Sequence, residues 1–178
     1  TLDYSAYASG RTISVDMGVL DGTGNSTVTI SDGTTDKIKN IQNIIGGAGA
    51  DTIIGNSQNN SLVGGAGNDI IKGVAGDNQL LGGAGNDTIY SGTGNDFIDG
   101  GEDNDTVSFE AATGDITVSL TTTTAQAVGG GMGTDTITNI ENVIGSSHND
   151  TISGNSGINT LIGGAGNDKF VATKGSDT

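Results

Sequence analysis

Cysteine, proline and tryptophan are all missing from the 178 residues. Without cysteine no disulfide framework can hold the fold. Without proline, and with glycine not recurring every third residue, a collagen-like triple helix is excluded. Aromatic residues make up 3% of the chain and all hydrophobic residues 32%, too little for a thick globular core. Basic residues are equally scarce. Arg11, Lys37, Lys39, Lys72, Lys169 and Lys174 are scattered, which is not the clustered positive charge that a nucleic-acid partner requires. No apolar run approaches the ~18 residues of a membrane-spanning helix. The opening TLDYSAYASGR has no basic stretch followed by an apolar run, so it does not read as a classical signal peptide. What is present is glycine, at 33 residues, and acid: 21 Asp plus Glu against 6 Lys plus Arg, a net charge of −15. That composition alone describes a disordered polyanion. The order of the residues reverses this reading.

From Gly46 the chain divides every nine residues without a gap, into GGAGADTII, GNSQNNSLV, GGAGNDIIK, GVAGDNQLL, GGAGNDTIY, SGTGNDFID and GGEDNDTVS. Position eight is always aliphatic: Ile53, Leu62, Ile71, Leu80, Ile89, Ile98 and Val107. Position six is Asp51, Asn60, Asp69, Asn78, Asp87, Asp96 and Asp105. A second array starts at Gly145 with GSSHNDTIS, GNSGINTLI and GGAGNDKFV, and ends in ATKGSDT. The segment from Thr35 matches that from Thr134 at an offset of 99 residues, and LDYSAYASGRTISV resembles VSFEAATGDITVSL further on. Two units are therefore expected. Residues 1–108 comprise a strand-rich segment 1–45 and the array 46–108; residues 109–178 comprise a strand-rich segment 109–144 and the array 145–178. Both are expected in one continuous solenoid. Thr1 and Thr178 fall in mid-repeat, so a fragment of a longer protein is expected.

One aliphatic residue in nine cannot make an amphipathic helix, whose apolar positions recur every three or four residues. It suits a three-residue strand between tight turns of Gly, Asn and Asp. Two repeats then close one coil of eighteen residues, and stacked coils give two parallel sheets with the aliphatics between them. The expected class is all-β, a parallel β-roll or β-solenoid of two sheets. RTISVDM, TVTI and ITVSL alternate apolar with polar and read as longer strands that extend the same stack through broader turns.

The phase of the acids carries the chemistry. Asp51, Asp69, Asp87 and Asp105 lie eighteen residues apart and so form one ladder. Adjacent rungs sit about 4.7–4.9 Å apart, as neighbouring strands do. Carboxylates that close repel unless a cation lies between them. Gly-rich turns also bare backbone carbonyls, and carboxylates with carbonyls make an all-oxygen site suited to Ca²⁺. Mg²⁺ demands stricter octahedral geometry, and Zn²⁺ prefers Cys and His, of which the chain holds only His148.

GGAGNDIIK, GGAGNDTIY and GGAGNDKFV resemble the GGxGxDxUx nonapeptide of the RTX (repeats-in-toxin) calcium-binding β-roll family. TLDYSAYASG with the NIQNIIGGAGADTIIGN run is similar to the start of serralysin-type C-terminal domains, and the duplicated unit to repeat blocks of large secreted toxins and adhesins. The resemblance implies Ca²⁺ between turns n and n+2, held by carbonyls of positions one and three plus Asp from one turn, and of positions two and four plus Asp from the next. Carried onto this sequence, Gly46, Ala48 and Asp51 would meet Gly65, Gly67 and Asp69. Gly64, Ala66 and Asp69 would meet Gly83, Gly85 and Asp87, and Gly82, Ala84 and Asp87 would meet Gly101, Asp103 and Asp105. In the second array Gly145, Ser147 and Asp150 would meet Gly164, Gly166 and Asp168.

Some positions depart from the pattern. Asn60 and Asn78 replace Asp on the opposite ladder, which favours an Asn hydrogen-bond ladder and leaves Asp77 with Asp96 at best a poor site. Asn159 leaves Asp177 without a good partner, and Asp103 and His148 replace the fourth Gly of their turns. His148 beside Asp150 reads as a surface turn, not a catalytic pair. GGGMG at 129–133 is no phosphate loop, lacking a following Gly-Lys-Ser/Thr. Tyr4 and Phe109 are expected to cap the apolar column. The expected function is calcium binding coupled to folding in a non-catalytic, monomeric segment of a secreted or cell-surface bacterial protein, exported unfolded through type I secretion machinery. Two alternatives stay open. One is a substrate-positioning module of a secreted polysaccharide-modifying enzyme or protease. The other is an adhesin repeat.

Overall fold

A computed structural model of the chain describes residues 1–8, 10–20, 22–171 and Thr173. These residues contain strands and turns and no helix. Strands are numbered β1 to β19 along the chain.

Most strands stack in parallel, one per half-coil. The first sheet runs β1 (Leu2–Asp3), β5 (Asn43–Ile45), β7 (Ser61–Ala66), β9 (Gln79–Ala84), β11 (Phe97–Glu102) and β15 (Thr134–Thr138). The second runs β2 (Ile13–Asp16), β6 (Thr52–Ile54), β8 (Ile70–Lys72), β10 (Thr88–Tyr90), β12 (Thr106–Ser108), β16 (Asn142–Ile144) and β18 (Thr160–Ile162). A third holds β13 (Thr117–Ser119), β17 (Thr151–Ser153) and β19 (Lys169–Val171). The register is the one that the eighteen-residue coil requires: Leu62 pairs with Leu80 and Leu80 with Ile98, Ile71 with Ile89 and Ile89 with Val107. All seven position-eight side chains of the first array are fully buried between the sheets. Their flanking residues turn outward because side chains alternate along a strand.

The strand-rich segments depart from a uniform parallel stack. β2 and β13 do join it, but β3 (Ser26–Ile30) folds back antiparallel on β2, and β4 (Thr35–Ile38) antiparallel on β3. β14 (Gln126–Ala127) likewise runs antiparallel to β15, and an antiparallel bridge joins Ile116 to Gly129. The reason is connection length. β3 and β4 are joined by a tight turn at Asp32–Gly33, where Asp32 Oδ1 accepts the Thr34 N–H at 3.0 Å and Gly33 has φ of +87°. A connection that short cannot cross over to a parallel neighbour.

The 99-residue duplication is visible in the pairing. β5 pairs with β7 as β16 does with β18, and β6 with β8 as β17 does with β19. β12, the last strand of the first array, pairs with β16 as β1 pairs with β5. Tyr4 and Phe109 are both buried at these starts, their N–H groups donating to the carbonyls of Ile45 and Ile144 at 2.8 Å. β15 has an additional neighbour that its counterpart β4 lacks: it pairs with β11, in the register Ile98 to Ile137.

Candidate metal centre

Each Asp of the main ladder is buried at the foot of a glycine-rich turn. Its Oδ1 accepts the backbone N–H of the residue one coil earlier. Asp69 accepts from Asp51 at 2.7 Å, Asp87 from Asp69 at 2.7 Å, and Asp105 from Asp87 at 2.8 Å. Asp51 itself accepts the Ile13 N–H at 2.7 Å. Asp150 and Asp168 repeat the arrangement, accepting from Ile116 and Asp150 at 3.0 Å each. Thus the structure brings together Asp51, Asp69, Asp87 and Asp105, and separately Asp150 with Asp168. Asp177 lies outside the described residues.

The second carboxylate oxygens differ by rung. Oδ2 of Asp51 accepts the Gly47 N–H at 2.7 Å, and that of Asp150 the Ser146 N–H at 2.6 Å. On Asp69, Asp87 and Asp105 the Oδ2 atom is buried with no hydrogen-bond partner. An orphaned carboxylate oxygen is costly to bury, so these rungs are incomplete as protein alone. Burial, with repulsion between neighbouring acids added, pushes the carboxyls of Asp69 and Asp105 up to about 7. Asp87 rises to about 6, and Asp51 rises too, in both cases chiefly through burial.

The turns are shaped around these oxygens. A Cβ on Gly64 or Gly82 would collide with the Oδ2 of Asp69 or Asp87, so position one of these turns must be glycine. A Cβ on Gly83 or Gly101 would strike the carbonyl of Gly65 or Gly83, one coil back, and both residues have φ above +100°. Carbonyls therefore stack in rows that only glycine admits. The Ala84 carbonyl accepts the Gly67 N–H at 2.8 Å, which engages one of its two lone pairs.

Two of the substitutions at position four, Asp103 and His148, are accommodated differently. Asp103 adopts the left-handed φ of +82° itself. His148 needs no such strain: the first turn of each array, which includes Gly47 and Gly49 in one copy and Ser146 and His148 in the other, stays out of the left-handed region. His148 is half-buried, and its N–H donates to Ser146 Oγ at 3.1 Å.

On the opposite ladder the Asn side chains satisfy themselves. Asn60 donates its N–H to Asn78 Oδ1 at 2.9 Å, and Asn78 Nδ2 donates to the Gly76 carbonyl of its own turn at 2.9 Å. Asn159 Nδ2 donates to the Glu141 carbonyl at 2.8 Å. Asp77 and Asp96 sit on different rows, although the charge of Asp77 still acts on Asp96. Asp77 is exposed and accepts the Asn95 N–H on an outer row, whereas Asp96 donates its own N–H to Asp135 Oδ1 at 2.9 Å. Asp135 was not among the sequence candidates, and neither was Glu141, whose Oε2 accepts the Asp105 N–H at 2.9 Å and ends the main ladder. Asp135 does carry a signal: residues 130–138 read GGMGTDTIT, a complete nonapeptide. It is easily passed over because it is out of frame with both arrays.

Among the described residues no three Asp, Glu, His or Cys side chains converge on one point. Two carboxylates meet across a gap, so a cation there must take its other ligands from carbonyls, as a hard, oxygen-seeking ion does. The family model of the RTX calcium-binding nonapeptide repeat matches residues 42–71, 72–107 and 144–178. The chain belongs to this RTX repeat family. RTX repeats bind Ca²⁺, and Ca²⁺ is the ion that the oxygen-only turns fit. Among curated proteins, none matches this RTX chain.

Proposed function

We propose that the gaps Asp51/Asp69, Asp69/Asp87, Asp87/Asp105 and Asp150/Asp168 each take one Ca²⁺ and that this binding drives folding of the segment. The observation that carries the reading is the row of buried Oδ2 atoms without partners on Asp69, Asp87 and Asp105. Stacked rungs of like charge destabilise the folded coil, and a divalent ion between them offsets both the repulsion and the unmet lone pairs. Backbone carbonyls of the turns, from Gly46, Ala48, Gly65 and Gly67 through Gly145, Ser147, Gly164 and Gly166, would complete the coordination. Because the ladder exists only when coils are stacked, binding free energy becomes folding free energy. Asp69 and Asp87 each face two gaps, which couples neighbouring coils. About four ions would bring about +8 against the chain's −15.

This chemistry suits a segment that must stay unfolded where calcium is scarce and fold where it is millimolar, since extracellular Ca²⁺ modules bind at roughly 10⁻⁴–10⁻³ M. Proteins of this family are typically secreted, and their repeat segments are typically non-catalytic. Among the described residues no helix is long and apolar enough to cross a membrane. The segment is therefore read as the calcium-gated folding module of an extracellular bacterial protein exported by type I secretion. Circular dichroism of the chain against free calcium tests the reading. A steep rise in β-structure with calcium, reversed by chelator, is expected. Full β-structure in excess chelator would refute it.

A further inference from the structure

We propose that Asp96 and Asp135 form an additional calcium site, one that fastens the 109–144 segment onto the last coil of the first array. The inference rests on the ladder reading above but concerns residues 39 apart in sequence, of which Asp135 lies outside the three matched repeat spans.

Four observations carry it. The rung itself is equivalent to those of the main ladder, with the Asp96 N–H donated to Asp135 Oδ1 at 2.9 Å. Both side chains are buried, at 2% and 0% exposure, and the Oδ2 atoms of both have no hydrogen-bond partner. Two carboxylates thus share an enclosed rung with one oxygen each left over and, among the described residues, no basic group acting on either, which is the demand of a divalent cation.

The turn above Asp135 matches the repeat turns at positions two and four, though at position one Gly130 takes φ of +56° and does not face the Asp oxygen. Gly131 and Gly133 take φ of +84° and +99°. Gly133 packs so closely on the Gly94 carbonyl that no Cβ would fit, and the Gly94 N–H donates to the Met132 carbonyl at 3.2 Å. Thr134 continues the outer row, its N–H donating to Asn95 Oδ1 at 2.9 Å. Carbonyls and carboxylates, without nitrogen or sulfur, again select a hard ion tolerant of irregular geometry, Ca²⁺ rather than Mg²⁺.

The neighbouring rungs and the duplicated copy supply internal contrasts. Asn60 and Asn78, on the same side, close their sites with their own amides. Asp36, the counterpart of Asp135 in the first unit, is exposed and accepts the Tyr4 hydroxyl at 2.7 Å. So the same sequence position is an ordinary surface acid where β4 is a sheet edge and a buried, unmatched acid where β15 docks on β11. Filling this site would tie the strand-rich segment of the second unit to the coil that precedes it.

The test compares the whole chain with Asp135→Asn and Asp36→Asn, counting bound Ca²⁺ by native mass spectrometry and following amide exchange over 134–138. Asp135→Asn retains the oxygen that accepts the Asp96 N–H, so it removes charge rather than the rung. It should bind one ion fewer and lose calcium-dependent protection of β15, while Asp36→Asn binds the wild-type number. An unchanged count in Asp135→Asn, with calcium still filling the main ladder, would overturn the junction site alone. A wild-type chain that binds no calcium would overturn it together with the ladder reading. If Asp135→Asn fails to fold in calcium, an anomalous map of wild-type crystals grown with calcium decides. An ion between Asp96 and Asp135 supports the site, and its absence there overturns it.

Discussion

Replacing Asp87 by Asn should move the stability of the chain in opposite directions with and without calcium. Asp87 is buried, its Oδ1 accepts the Asp69 N–H, and its Oδ2 has no partner. Asn keeps the first contact and turns the orphan oxygen into a donor. Asn78 shows where that donor goes, onto the Gly76 carbonyl of its own turn at 2.9 Å. Without calcium the substitution therefore removes an unsatisfied buried group, a gain of about 1–3 kcal/mol. With calcium it takes a charged ligand from two gaps. At 10 mM calcium, sites of roughly 10⁻⁴–10⁻³ M each contribute about 1.4–2.7 kcal/mol, so losing two costs about 3–5 kcal/mol. The net effect in calcium is a loss of about 0–4 kcal/mol, obtained by combining the two terms. The assay has two arms, both read by circular dichroism. In excess chelator, the concentration of the osmolyte trimethylamine oxide that folds half the chain should fall. At 10 mM calcium, the urea midpoint should fall as well. A variant that needs more osmolyte in chelator, or that keeps the wild-type calcium response, would refute the assignment of Asp87 to two cation gaps.

Two further expectations follow from the buried column and from the titration of the ladder. Ile89 is fully buried and stacked in register between Ile71 and Val107, so Ile89→Ala should cost about 2–5 kcal/mol at saturating calcium, read from urea midpoints; a loss under about 1 kcal/mol would contradict the buried column. The carboxyls of Asp69 and Asp105 at about 7 and Asp87 at about 6 stand above their unfolded value near 3.8, so the metal-free folded chain holds more protons than the unfolded one between about pH 4 and 7. Its stability is then greatest at acid pH and falls as pH rises through that window. Calcium affinity runs the other way, because the ligands must lose those protons, and should climb from pH 5 through 7 and level off only once those carboxyls are fully ionised. A calcium midpoint that does not change between pH 5 and 7 would contradict this.

Much of the molecule is a consequence of local order. The nine-residue period, with one aliphatic at position eight and Asp or Asn at position six, leaves a short strand and a tight turn as the only economical structure. Repetition then places position six of every second repeat on one line. Hence the ladder Asp51–Asp69–Asp87–Asp105, the column Ile53 to Val107, and calcium as the ion could be read without coordinates. Periodicity specifies neighbours only inside an unbroken array, and beyond it tertiary packing decided the outcome. β3 and β4 fold back antiparallel because their connecting turn is too short to cross over. Asp96 meets Asp135, since a 39-residue excursion brings β15 onto β11 out of frame with either array. Asp36 and Asp135 occupy duplicated positions in the sequence, yet only the second is buried, because burial depends on which strand edge finds a partner and the duplicated sequence is much the same in both.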